Sequence, residues 1–280
     1  MKKLTIPKAG NSIEKGKPLK LVLDKEAVKC LANNLSLVYP IFDSKSFSKE
    51  ALKNIAPLGI KERAEHIGDT MYQFLPKPYS QAIAIINKSL TPPLTKTEDN
   101  GLAPMFYMPH ASFVGKYGVD KIYNDNKDPF NISMKIQYEL TRRFTCEFSI
   151  RPFIEKDEKR VLKKLFTWMK DRDPHVRRLC SEGTRPRLPW ANKLSSFVKD
   201  PTPVLPILEQ LKNDPDLYVR RSVANHVGDI AKDHMDMALD LCEKWLKDSS
   251  KELKWVIRHA LRNPFKKGVE RAIKIRQAAK

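Results

Sequence analysis

A chain of 280 residues with 52 Lys and Arg against 33 Asp and Glu carries a formal charge of +19 and a sequence pI near 9.7. That length buries a large core, and that imbalance favours a polyanionic partner, nucleic acid or an anionic membrane surface. No apolar run approaches the ~20 residues that cross a bilayer, and Met1-Lys2-Lys3-Leu4-Thr5-Ile6-Pro7-Lys8 lacks the apolar stretch of a secretory signal, which sets aside a helical membrane span and a signal-led secreted chain.

Residues 1–16, rich in Lys, Gly, Asn and Ser, read as a flexible basic lead. A helical N-terminal region is expected over 17–130. Within it Ala27, Val28, Leu31, Ala32 and Leu35 keep a 3.6-residue period, and a second run covers Ile60 to Phe74. Pro40, Pro57, Pro76 and Pro78 fall between the runs as breakers. Residues 90–101 are polar and proline-bearing and predict a surface loop. The aromatics Phe106, Tyr107, Phe113, Tyr117 and Tyr123 are expected to pack between the first helices and the second half of the chain. Strand signals are weak throughout, so the class is all-α.

From 131 to 280 the chain repeats itself. Asp173-Pro174-His175-Val176-Arg177-Arg178 returns as Asp214-Pro215-Asp216-Leu217-Tyr218-Val219-Arg220-Arg221, and in degraded form as Trp255-Val256-Ile257-Arg258-His259-Ala260-Leu261. The last arginines, Arg178, Arg221 and Arg258, are 43 and 37 residues apart, the period of a HEAT-like solenoid of stacked helix pairs, a curved right-handed superhelix. Asp173-Pro174 and Asp214-Pro215 predict helix starts, with Asp at the N-cap and Pro at the first helical position, and Asp248-Ser249-Ser250 a third. Apolar partner helices are expected near 157–170, 203–212 and 235–247. Arg143 and Glu147 lie 35 residues before Arg178 and Glu182, which predicts a fourth unit with each Arg–Glu pair on one helix face. Arg177, Arg178, Arg220, Arg221, Lys254, Arg258 and Arg262 are candidate phosphate contacts, since they follow helix N-termini or belong to a C-terminal stretch with 11 basic residues against three acids.

Between two repeats, Gly183 is placed to end a helix, and Pro186 and Pro189 force a stiff loop presenting Trp190 together with Arg185 and Arg187, two further candidate DNA contacts. Cys30, Cys146, Cys180 and Cys242 form no CxxC pair and read as reduced, mostly buried thiols of a cytoplasmic protein. His226 and His234 are eight apart, too far along a helix to share one ion, so neither metal nor cofactor is expected.

The segments 146–153, 173–190 and 219–229 together resemble the AlkC branch of the bacterial AlkC/AlkD alkylpurine DNA glycosylases, specifically over about 135–265 and more loosely over 17–130. A capped solenoid is a monomer by default, and the resemblance implies a bacterial, helical-repeat enzyme acting at the nucleoid in base excision repair. It would hydrolyse the N-glycosidic bond of cationic N3-alkylated bases, 3-methyladenine and 3-methylcytosine, in duplex DNA without drawing the base into a pocket. It places the family's active-site Glu, Trp and Asp on Glu147, Trp190 and Asp229, and an active-site Arg on Arg178. Some relatives carry an immunoglobulin-like domain after the array, for which a chain ending at Lys280 leaves no room. Each residue also has a plainer reading: Asp229 could cap a helix, Glu147 could pair with Arg143 or Arg151, and Arg178 could bridge to Glu182. The competing function is a non-catalytic HEAT scaffold that binds nucleic acid or an acidic protein.

Overall fold

The computed structural model describes residues 3–247 and 249–280, which form sixteen α-helices and no strand. Contacts divide the chain into one unit ending at Lys156 and another running from Asp157 to Lys280.

The first unit holds α1 (Lys25–Val38), α2 (Ser44–Leu52), α3 (Ile60–Phe74), α4 (Tyr79–Lys88), α5 (Met108–Tyr117), α6 (Phe130–Thr141) and α7 (Arg151–Lys156). All four early prolines fall between helices, where a missing N–H and a fixed φ stop the i→i−4 ladder. Asp24 and Asp43 cap α1 and α2 by accepting from backbone amides. Residues 90–101 form the expected loop. The aromatic run packs inside this unit, with Tyr117 stacked on Tyr72 at 3.9 Å and Phe113 against Tyr79. The basic lead departs from expectation. Thr5 exchanges hydrogen bonds with the Asn34 amide (3.2 and 2.7 Å), and the Leu102 N–H donates to the Gly10 carbonyl at 2.9 Å, so backbone polarity fastens it. Residues 131–156, grouped with the repeats on sequence, make their helix contacts with α4 and α5.

The second unit holds α8 (Glu158–Trp168), α9 (Pro174–Glu182), α10 (Ser195–Lys199), α11 (Leu205–Leu211), α12 (Leu217–Ile230), α13 (Met235–Leu246), α14 (Lys251–Ala260), α15 (Arg262–Lys266) and α16 (Glu270–Ala278). Helices α8, α11 and α13 pair with α9, α12 and α14, and α12 packs along both α9 and α14. This is a HEAT-like stack, with the repeated arginines on the three helices of one layer. Gly228 lets the layer close up: a Cβ there would meet the Ala260 carbonyl oxygen at 3.2 Å. Among the described residues no helix is long and apolar enough to cross a membrane.

Two sequence expectations need correction. The second repeat helix is capped by Asp216, which accepts from the Tyr218 N–H, and not by Asp214. Asp214 is buried and takes both Nε and Nη2 of Arg177 at 2.6 and 2.9 Å. The true register pairs Asp171 with Asp214 and Asp173 with Asp216, and in both repeats the earlier Asp accepts from the later one's N–H. The third start is capped by Ser250, which accepts from the Leu253 N–H at 3.1 Å; Asp248 lies outside the described residues. The Arg143–Glu147 pair is not helical either. Arg143 follows the end of α6 and bonds Glu139 and the Thr91 carbonyl, while Glu147 lies in a turn before α7.

Candidate active site

Helix α9 ends at Glu182 and α12 one residue past Asp229, so two carboxylates stand at the C-terminal ends of neighbouring helices. Both are buried, with Asp229 only 2% exposed. A helix C-terminus is the negative end of its dipole, and burial adds a desolvation cost, so neither acid belongs there on structural grounds. Cations compensate. Arg185, 7% exposed, donates Nη1 to Glu182 Oε1 at 2.6 Å and Nε to Asp229 Oδ2 at 2.8 Å. Lys232 donates Nζ to Asp229 Oδ1 at 2.7 Å with its side chain 48% exposed, and Arg178 Nη2 lies 3.4 Å from Glu182. Burial pushes the Glu182 carboxyl up, but Arg178 and Arg185 outweigh it and hold it below its ordinary value. Burial pulls the Arg185 guanidinium down, and Glu182 and Asp229 more than restore it.

Behind these ions His226, four residues after Ser222 on α12, faces the Ser181 carbonyl oxygen with Nδ1 at 3.0 Å. Burial keeps His226 neutral, pushed down to about 4, with Asp229 and Glu182 pulling up and Arg185 pushing down.

The loop after α9 carries Trp190. Its backbone is left-handed at φ 65°, which few bulky residues adopt, and its indole is 61% exposed. A large apolar ring held outward on a strained backbone is a sign of function, in the direction such outliers license. Arg187 on the same loop is paired with Asp233 through Nε and Nη2 at 2.6 and 2.5 Å.

The sequence-derived candidates thus separate. Arg185 and Asp229 are joined directly, with Arg178 one acid away. Arg185 is a buried counter-ion and not a presented surface cation. Arg177 is consumed by Asp214 and by the carbonyls of Asp171 and Arg172, and Arg220 by the carbonyls of Asp214 and Pro215. Those carbonyls lie six and five residues upstream in both repeats, which marks a turn clamp. Arg258 donates to the Ala279 carbonyl; Arg262 donates to the His259 carbonyl and Asn225 Oδ1. Arg221 is exposed, and Lys254 half-buried. Glu147 is buried in the first unit, where Thr145 Oγ1 donates to its Oε2 at 2.7 Å. Its neighbour Cys146 is inert, its thiol pushed up to about 12 by burial. Arg178 does bridge to Glu182, the plainer reading, and its guanidinium also lies 5.1 Å from the Tyr218 ring centre. Sequence reasoning treated Glu182 only as an ion-pair partner and overlooked Lys232 and His226. The one available signal was Arg178–Glu182–Arg185, whose spacings of four and three put a carboxylate between two guanidiniums.

No protein-family model matches the chain. It is 34% identical over 256 residues to the uncharacterised protein YhaZ of Bacillus subtilis, a match covering 91% of this chain and 67% of that protein. It is similar, with a TM-score of 0.81 and 35% identity, to a solved structure of Pseudomonas fluorescens alkylpurine DNA glycosylase AlkC bound to DNA containing an abasic site analog. That match covers 92% of this chain and 67% of the solved one. With buried acids ending two adjacent repeat helices and this likeness over nine-tenths of its length, the chain belongs to the AlkC-like family of alkylpurine DNA glycosylases.

Proposed function

We propose that the protein hydrolyses the N-glycosidic bond of cationic N3-alkylated bases, 3-methyladenine and 3-methylcytosine, in duplex DNA. An alkylated base that is already positive leaves without being protonated, so the acid half of the usual carboxylate pair is dispensable. The C1′–N bond breaks with its electron pair going to the base, which departs neutral. The sugar turns oxocarbenium-like, water oxygen bonds to C1′, and the water's proton passes to a carboxylate. Asp229 is assigned the charge stabilisation and the proton, and Glu147 a supporting role. The exposed Trp190 indole offers its π face to the cation, and Arg178 a phosphate contact. An indole this exposed does not wall an enclosed cavity, which supports capture of the lesion without extrusion into a pocket.

The observation that carries this reading is the buried Asp229 carboxyl group, set at the unfavourable end of α12 and paired with Arg185 and Lys232. The test is incubation of methylated duplex DNA with the purified protein, followed by identification of free bases. Asp229→Asn should lower 3-methyladenine release by about 10²–10³-fold while DNA binding is retained. Unchanged release in that variant would remove Asp229 from the chemistry. Binding without any release by the native protein would favour a scaffold.

A further inference from the structure

Six buried side-chain atoms among the described residues lack a hydrogen-bond partner, and four of them lie on α9 and α12: Arg220 Nε in the first turn of α12, and, further along the pair, Ser181 Oγ on α9 with Ser222 Oγ and His226 Nε2 on α12. Ser181, Ser222 and His226 are 0–2% exposed, so bulk water does not reach them. Ser222 and His226 are four apart and face the same way. Because Ser181 O can only accept, His226 Nδ1 is the protonated nitrogen of the neutral ring, leaving Nε2 a bare acceptor. The two hydroxyls can each donate and accept. Ser222 is close enough to Glu182 to help hold its carboxyl down, yet makes no hydrogen bond of normal geometry. One acceptor and two hydroxyls within a single buried interface are a mix of acceptor and donor groups that internal water molecules satisfy.

We propose that a water molecule is bound inside the α9–α12 interface. It donates to His226 Nε2, exchanges a hydrogen bond with Ser181 or Ser222, and props the Glu182–Arg185–Asp229 cluster from behind. His226 and Ser222 are then positioning residues that touch no DNA. Ser181 directly precedes Glu182, and His226 is three residues before Asp229, so any shift of either is passed to a carboxylate. The existence of the water is independent of the proposed reaction; its positioning role rests on it.

A crystal structure of the full chain near 1.5 Å tests the first part, whatever the protein catalyses. Density for a water within hydrogen-bond reach of His226 Nε2 and one serine hydroxyl supports the proposal; Nε2 bonded to protein, or no water there, overturns it. Two variants test the second part. His226→Gln keeps an N–H for Ser181 O and an acceptor for the water, whereas His226→Phe keeps a ring but offers neither. The Phe variant should lose about tenfold or more in kcat for base release with unchanged KM and unchanged affinity for abasic-site DNA, and Gln should restore most of it. Equal losses in both variants, or a loss confined to KM, would refute the positioning role. Should the native protein release no base, the proposed reaction fails while the density still decides the water.

Discussion

The two ends of the repeat helices use the same ions to opposite purposes. At the N-terminal ends of α9 and α12, Arg177 and Arg220 reach back to carbonyls six and five residues upstream, and the Asp171–Asp173 and Asp214–Asp216 pairs fold the turn in one way twice. At the C-terminal ends the charges differ between repeats: Glu182 closes α9, Asp229 nearly closes α12, and Arg185 joins them. Charge that recurs with the period satisfies backbone common to every unit. Charge that breaks the period, and sits where a helix dipole disfavours it, calls for a reason other than architecture.

The comparison breaks most severely at Arg185. Its replacement by Met leaves Glu182 and Asp229 buried without their shared cation, and should cost about 3–5 kcal/mol in denaturant unfolding besides abolishing base release. Arg177→Met strands the buried Asp214 and two backbone acceptors, the carbonyls of Asp171 and Arg172. It should cost about 3 kcal/mol while the surviving folded protein keeps its rate, which separates clamp from site. Acid sharpens the same contrast. His226 is depressed to about 4 from an ordinary 6.5, so the unfolded chain binds more protons between those values, and stability is lost as pH falls through that window. The loss should reach about 3 kcal/mol, and His226→Gln should flatten the slope in chemical unfolding followed against pH. The smallest effect on folding is expected at the exposed Trp190. Trp190→Gly removes the left-handed strain and should move stability by under about 1 kcal/mol, yet slow base release; a large stability loss would make the ring a packing plug.

Much of this was written in the sequence. The prolines at 40, 57, 76 and 78, the capping residues Asp173 and Ser250, and the arginine period all act through local backbone chemistry, which neighbouring residues fully determine. The second repeat start was misplaced by two residues because Asp214-Pro215 and Asp173-Pro174 look alike as dipeptides. Only the partner of Arg177, 37 residues away, shows which Asp faces inward. Arg185 misled for the same reason. Beside prolines it reads as a presented cation, and the carboxylate that buries it comes from 44 residues further on. Asp229 and Trp190 drew notice locally, one after Gly228 and the other in a proline-stiffened basic loop, and only the family resemblance offered them a shared role. Lys232 and His226 gave no signal because nothing marks them until α9 and α12 are side by side.

The bare α-carbon at position 228 ties a later helix of the stack to the acid cluster. With the Ala260 oxygen only 3.2 Å from where a methyl would sit, even alanine there must shift neighbouring backbone by a few tenths of an ångström. Asp229 is the next residue, so α14, which supplies no group to the acid cluster, sets how far that carboxylate stands from its cations. Wear at the terminal repeat would therefore be felt first as a misaimed oxygen, well before the stack itself came apart.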